Sequence, residues 1–117
     1  LKAGRLMELG DVTKKSVPKM TLVSESLNGG LLNTRSFIPH RVYASIGVFA
    51  AITVATACVT PNTVAASLAS LPDGGIYEIE HPSGCTKVRL EFDDNGVVGR
   101  TGIIRTARKL MDGTVYS

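Results

Sequence analysis

Three short segments of this 117-residue chain carry groups that could hold an anion. The first is His81-Pro82-Ser83-Gly84, set between two stretches of alternating polarity. Proline and glycine favour turns in any protein, so the segment reads first as a tight turn. It also reads as an anion loop. The Ser83 hydroxyl and the Ser83 and Gly84 amides would face the ligand, and Gly84 would let it approach the backbone. The second segment is Ala44-Ser45-Ile46-Gly47, at the apparent start of a long helix. Free amides and the positive dipole end make such a start suited to a carboxylate or a phosphate. The other reading is a buried N-terminus capped by its own side chains. Glycine within a helix costs about 1 kcal/mol relative to alanine, so Gly47 predicts close packing or ligand approach. The third segment is Lys15-Ser16, which adds a charge and a hydroxyl, or is a pair of solvated loop residues.

Other reactive types have blander explanations. Arg105 and Arg108 read as surface residues, and His40 as a packing or capping residue beside Pro39. Cys58 reads as core. Cys85 follows the turn and could act as a thiol nucleophile, but no neighbour in sequence lowers its pKa. The two histidines and two cysteines lack metal-ligand spacing, and no glycine-rich phosphate motif is present. No metal and no nucleic acid are expected as partners.

The elements that would position these groups centre on residues 41–59, RVYASIGVFAAITVATACV. No charged residue follows Arg41 until Asp73, and the segment is apolar nearly all round. Such a helix must be surrounded by protein or by lipid. It just reaches the lower limit for a membrane span, about 18 apolar residues. Its flanks lack tryptophan and lysine, and its many small residues suit close packing, so a buried central helix is the better reading. Pro39 would sit at or before the first turn.

Upstream, residues 1–9 read as the end of an amphipathic helix closed by Gly10. Residues 19–24 suit a short strand, and 25–36 read as a loop through Asn28, Gly29, Gly30 and Asn33. Downstream, Thr60 or Asn62 could cap a short helix over 63–70. The remainder reads as β structure. Tyr77, Ile79 and His81 oppose Glu78 and Glu80, and Val88, Leu90 and Phe92 oppose Lys87, Arg89 and Glu91. Asn95-Gly96 signals a two-residue hairpin, with a strand to about residue 108 and another turn at Asp112-Gly113 before 114–117. The class is α+β, an antiparallel sheet wrapped on a hydrophobic helix.

The length suits a single domain over 1–117. A formal net charge of +3, without a basic cluster, gives no nucleic-acid footprint. Two cysteines make no secreted disulfide scaffold, so a reducing, cytoplasmic setting is the default. The chain opens at Leu1 in what already reads as helix, which predicts a piece of a longer protein.

Taken together, SVPKM (16–20), YASIG (43–47), HPSG (81–84) and RTARKLMDGTVY (105–116) resemble, in order and spacing, the carboxy-terminal half of the PrpF family. That family includes 2-methylaconitate cis–trans isomerase and 4-oxalomesaconate tautomerase. The resemblance implies a diaminopimelate-epimerase-like fold of two similar domains, each a sheet rolled around a central helix, with the site in the cleft between them. It implies proton transfer on an unsaturated di- or tricarboxylic acid without a cofactor. The family's catalytic lysine and cysteine lie in the amino-terminal domain, so no catalytic residue is expected in this chain. In epimerase relatives a second catalytic cysteine enters the central helix, where this chain has Ser45-Ile46. What the resemblance carries over is substrate binding by Lys15, Ser16, Ser45, Ile46, Ser83 and Gly84, with His81 orienting its loop. The implied partners are a small carboxylic acid and the amino-terminal domain of the same protein, not a membrane. Apolar surface left bare by the missing domain would let the piece form a homo-oligomer. The alternatives are another epimerase or racemase of the same fold, a non-catalytic binding or scaffold domain, and a membrane-anchored segment.

Overall fold

A computed structural model describes residues 1–38 and 40–117. Pro39, expected to open the central helix, lies outside the described residues. Among the described residues the elements are α1 (Lys2–Leu6), β1 (Met20–Ser24), β2 (Leu32–Phe37), β3 (Val42–Tyr43), α2 (Val48–Val59), α3 (Val64–Leu68), β4 (Ile76–His81), β5 (Gly84–Phe92) and β6 (Val98–Ile104). This is a mixed α and β fold built on one six-stranded sheet.

The sheet runs β1-β2-β4-β5-β6, with β3 added to β2. It is not wholly antiparallel as expected. β2 and β4 pair in parallel, with Leu32 opposite Ile79 and Asn33 opposite Glu80. The chain between them passes through β3, α2 and α3, and a parallel pair needs such a crossover. The other pairs, including β4 with β5 and β5 with β6, are antiparallel.

Strand β2 was expected to be loop. Its buried face is Leu32, Thr34 and Ser36, two of them hydroxyl residues. Hydrogen bonds make that burial tolerable. Thr34 Oγ1 donates to the Glu80 carbonyl at 2.6 Å, and Ser36 Oγ meets Thr21 Oγ1 at 3.1 Å. The alternation of β4 also has an exception: Tyr77 and Ile79 are buried, and so is Glu80, at 4% exposure. In β5, Val88 and Leu90 are buried, while Phe92 is exposed.

Helix α2 is shorter than expected, because residues 42–43 extend and pair with Phe37 and Ser36. Gly47 is its N-cap, in an extended conformation. The helix lays Ala51, Val54, Ala55 and Cys58 on the sheet, a spacing that marks one helical face. They pack with Leu31, Leu32, Ile79, Val88 and Leu90. Each large aliphatic side chain buried there contributes about 1.5–3 kcal/mol. The sheet packs on this face of α2, while Phe49 in the first turn is 85% exposed. Helix α3 is capped by Thr63, whose Oγ1 accepts from the Ala66 amide at 3.1 Å, and not by Thr60 or Asn62. No helix among the described residues is long and apolar enough to cross a membrane.

At the carboxy-terminal end the β5–β6 ladder stops at Lys87–Ile104. Residues 105–117 form no regular element, so the expected strand to 108 and the strand over 114–117 are absent. Residues 105–117 are exposed, Tyr116 by 90%. The radius of gyration, 17.1 Å, exceeds the roughly 13 Å of a compact chain of this length. The β5–β6 connection is longer than two residues. Asp93 closes it by accepting the Asn95 and Val97 amides on Oδ1, each at 2.9 Å, and Gly96 takes a left-handed φ of 74°.

Candidate functional site

The parallel β2–β4 pair decides where the anion-handling segments meet. β1 covers Asn33 to Phe37 on one flank of β2. β4 and β3 must then share the other flank, β4 against Leu32 and Asn33 and β3 against Ser36 and Phe37. β4 points toward β3, so the turn at Pro82-Ser83 comes off β4 where β3 lies ahead of it. Glu80 and Tyr43 stand opposite positions of β2 three residues apart, or about 10 Å along the strand. Beyond Tyr43 the chain runs back toward the turn through Ala44, Ser45 and Ile46. Ser45 and Ile46 thus share one end and one flank of the sheet with His81, Ser83 and Gly84.

The HPSG segment is a tight turn, with His81 paired to Gly84 across it. Gly84 has φ 141°, a conformation that favours glycine. Ser83 is exposed, and its Oγ lies 3.1 Å from His81 Nδ1. Ile46 is only 7% exposed and belongs to the core, so its backbone alone could face a ligand. Ser45 is half-buried.

Lys15 and Ser16 precede β1, whose Met20 pairs with Phe37. They therefore lie toward the same sheet end but across β2. Lys15 is occupied locally: Nζ donates to the Leu9 carbonyl at 3.1 Å. Its charge also acts on Asp11, whose carboxyl is held below the usual range chiefly by the Thr13 hydroxyl and amide. The 11–16 segment is tied to the chain before β3 by His40 Nε2, 3.1 Å from the Thr13 carbonyl.

Two features of the site lay outside the sequence reading. One is a cavity of about 330 Å³ at the start of α2, lined in part by Ser36, Phe37, Tyr43, Gly47 and Phe49. The other is Lys19, the cationic residue of that lining. Lys19 lies within the SVPKM motif, which was the available signal. Helix geometry leaves the first amides without intrahelical partners. Here Ala51 N–H closes the first turn on the Gly47 carbonyl at 2.9 Å. No side chain caps the helix, and its first turn holds no acidic residue. A side chain added at Gly47 would meet nothing within 4 Å, so the glycine leaves open space and is not a packing requirement.

The most displaced carboxylate is structural. Burial pushes Glu80 up. The amides of Leu27 and Gly30, the Ser26 hydroxyl and the Asn28 amide outweigh that effect and bring its pKa down to about 2. Burial pushes the Cys58 thiol up to about 11, which suits a core residue. Cys85 is exposed. Among the described residues, no group of three or more His, Cys, Asp or Glu is placed to hold a metal ion.

The model of the PrpF protein family matches residues 1–117. The chain belongs to the PrpF family. It is 53% identical over 118 residues to a (4E)-oxalomesaconate Delta-isomerase of Novosphingobium sp., covering 99% of this chain and 33% of that protein. It is 51% identical over 117 residues to a 4-oxalomesaconate tautomerase of Pseudomonas putida, covering 98% of this chain and 32% of that protein. The chain spans about a third of the length of these curated relatives. The fold is similar to a crystal structure of methylitaconate-delta-isomerase, with a TM-score of 0.63 at 21% identity, over 86% of this chain and 29% of that one.

Proposed function

We propose that this chain is the substrate-binding part of a cofactor-independent isomerase that moves a proton on an unsaturated di- or tricarboxylic acid. In this reading it is one portion of a two-domain protein of the diaminopimelate-epimerase-like fold. The catalytic base and acid come from an amino-terminal domain. The observation that supports the reading is the cavity that Lys19 and the first residues of α2 line together, with the Ser45 and Ser83 segments placed by strand register toward the same end of the sheet.

Each of these groups suits a carboxylate. The helix start offers amide donors and a positive dipole end with no competing acid. Lys19 supplies a full charge at the rim of the same cavity. The Ser83 hydroxyl and the Gly84 backbone stand on an exposed turn. Removing a proton next to a carboxylate builds negative charge on that carboxylate's oxygens. Donors fixed in place before the reaction stabilise this charge as it forms. The names of the relatives, an oxalomesaconate isomerase and an oxalomesaconate tautomerase, support the substrate class.

The test uses the natural polypeptide that carries this chain, incubated in D2O with oxalomesaconate- and methylaconitate-type acids and followed by proton NMR. Deuterium entering the methylene next to the double bond, with a shift of that bond, is the expected result. Intact, unexchanged acids after long incubation would overturn the reading.

A further inference from the structure

The β4–β5 turn holds a hydrogen-bonded chain that carboxylate binding alone does not require. His81 closes β4, and both of its ring nitrogens are engaged: Nδ1 with Ser83 Oγ at 3.1 Å and Nε2 with Thr86 Oγ1 at 3.2 Å. The ring is half-buried and Ser83 is exposed. Glu80, the neighbouring acid, is committed to the 26–30 segment.

A neutral imidazole has one N–H donor and one acceptor nitrogen, whereas a hydroxyl can play either part. The chain Thr86–His81–Ser83 therefore has two self-consistent directions. In one, Ser83 donates to Nδ1 and Nε2–H donates to Thr86, which uses up the only proton Ser83 has. In the other, Thr86 donates to Nε2 and Nδ1–H donates to Ser83 Oγ. The Ser83 proton is then free and points outward. Only the second direction lets Ser83 donate to an anion, and the incoming bond from Nδ1–H polarises the hydroxyl for that purpose.

We propose that His81 is a positioning residue: held by Thr86 as the Nδ1–H tautomer, it keeps the Ser83 hydroxyl as a donor to a substrate carboxylate. The inference rests on the carboxylate reading of this sheet end. It adds a role for Thr86, which lies outside the HPSG motif.

Two measurements on the natural polypeptide test it. Long-range proton–nitrogen NMR of the His81 ring should show the proton on Nδ1. In Thr86→Val, which removes the donor to Nε2, the proton should move to Nε2. A wild-type ring protonated on Nε2 alone would overturn the inference. The second measurement is the affinity for propane-1,2,3-tricarboxylate, a saturated and unreactive tricarboxylate, by calorimetry. Ser83→Ala and Thr86→Val should each weaken binding about tenfold, the worth of one charge-assisted hydrogen bond. The double variant should be no weaker than Ser83→Ala, because both changes remove the same bond. His81→Asn, whose amide N–H can replace Nδ1–H, should retain most of the affinity that His81→Leu loses. Additive losses from Ser83→Ala and Thr86→Val would overturn the positioning role while leaving the carboxylate reading intact. A wild type that binds no tricarboxylate would overturn both.

Discussion

Replacing Glu80 by glutamine should cost more than most surface changes, by an amount that depends on pH. The carboxylate accepts from Ser26 Oγ, the Asn28 amide and the Gly30 amide on Oε1, and from the Leu27 amide on Oε2, all at 2.8–2.9 Å. Glutamine keeps one acceptor oxygen and turns an NH2 donor toward the remaining N–H, so at least one buried donor loses its partner. Glu80 falls from an ordinary 4.5 to about 2. At about 1.36 kcal/mol per pH unit this corresponds to roughly 3 kcal/mol for the whole set of bonds, and the acceptor oxygen that glutamine keeps lowers the loss to about 2. The sign follows from the depressed pKa. The contribution is fully present above about pH 4.5 and is lost as pH falls through about 2. Urea unfolding at pH 7 should therefore show Glu80→Gln less stable by about 2 kcal/mol, a midpoint shift of about 1 M for a small domain. The difference between the two proteins should shrink as the pH is lowered from 4.5 toward 2. Equal midpoints at pH 7, or a difference that stays constant down to pH 2, would refute the argument.

Lys19→Met should weaken tricarboxylate binding about tenfold at low ionic strength and less at 0.5 M salt, since an exposed charge is screened; calorimetry at the two salt concentrations checks this. Thr63→Ala removes the only side-chain cap of α3 among the described residues and should destabilise by about 1 kcal/mol in thermal or urea unfolding. A disulfide reagent at pH 8 should label Cys85 at once and leave Cys58 unlabelled until the protein unfolds. Cys58 is buried, and its thiol is raised to about 11. Mass spectrometry of peptides from partly labelled protein distinguishes the two.

The parts of the fold legible in the sequence are those where apolar side chains alone set the pattern. β4 and β5 announce themselves through Tyr77, Ile79, Val88 and Leu90, and α2 through its uncharged run. β2 was hidden because its inward face carries Thr34 and Ser36, whose burial depends on partners in β1 and β4 that no local pattern reveals. The alternation of β4 places Glu80 on its outer side. Its partners are backbone amides some fifty residues upstream, and a charge reads as solvent-facing until such partners are known. The start of α2 was misplaced for a similar reason. Val42 and Tyr43 are as apolar as the helix that follows, and only their pairing with β2 pulls them into the sheet. Beyond Ile104 the ladder to β5 stops at Lys87, and residues 105–117, rich in charged and turn-forming side chains, form no regular element.

The candidate site depends on the parallel pairing of β2 with β4, which the sequence did not suggest. HPSG and the residues leading into α2 were each visible as anion-handling segments, but nothing in their spacing says that they meet. Their meeting follows from the direction of β2 relative to β4. With the two strands parallel, the end of β4 points toward β3, and the turn at Ser83 leaves β4 on the side from which the chain approaches α2. An antiparallel pairing, the more common kind, would send the turn to the opposite end of the sheet. The crossover through α2 and α3 that permits the parallel pair also supplies the helix whose first residues line the cavity. Lys19 reaches the same cavity from the opposite flank, because β1 runs antiparallel to β2 and begins at that end. The hydroxyls of β2 bear on this as well. Thr34 anchors β2 to the Glu80 carbonyl, and Ser36 binds it to β1 beneath the cavity. The polar strand that concealed itself in the sequence is the one that brings the site together.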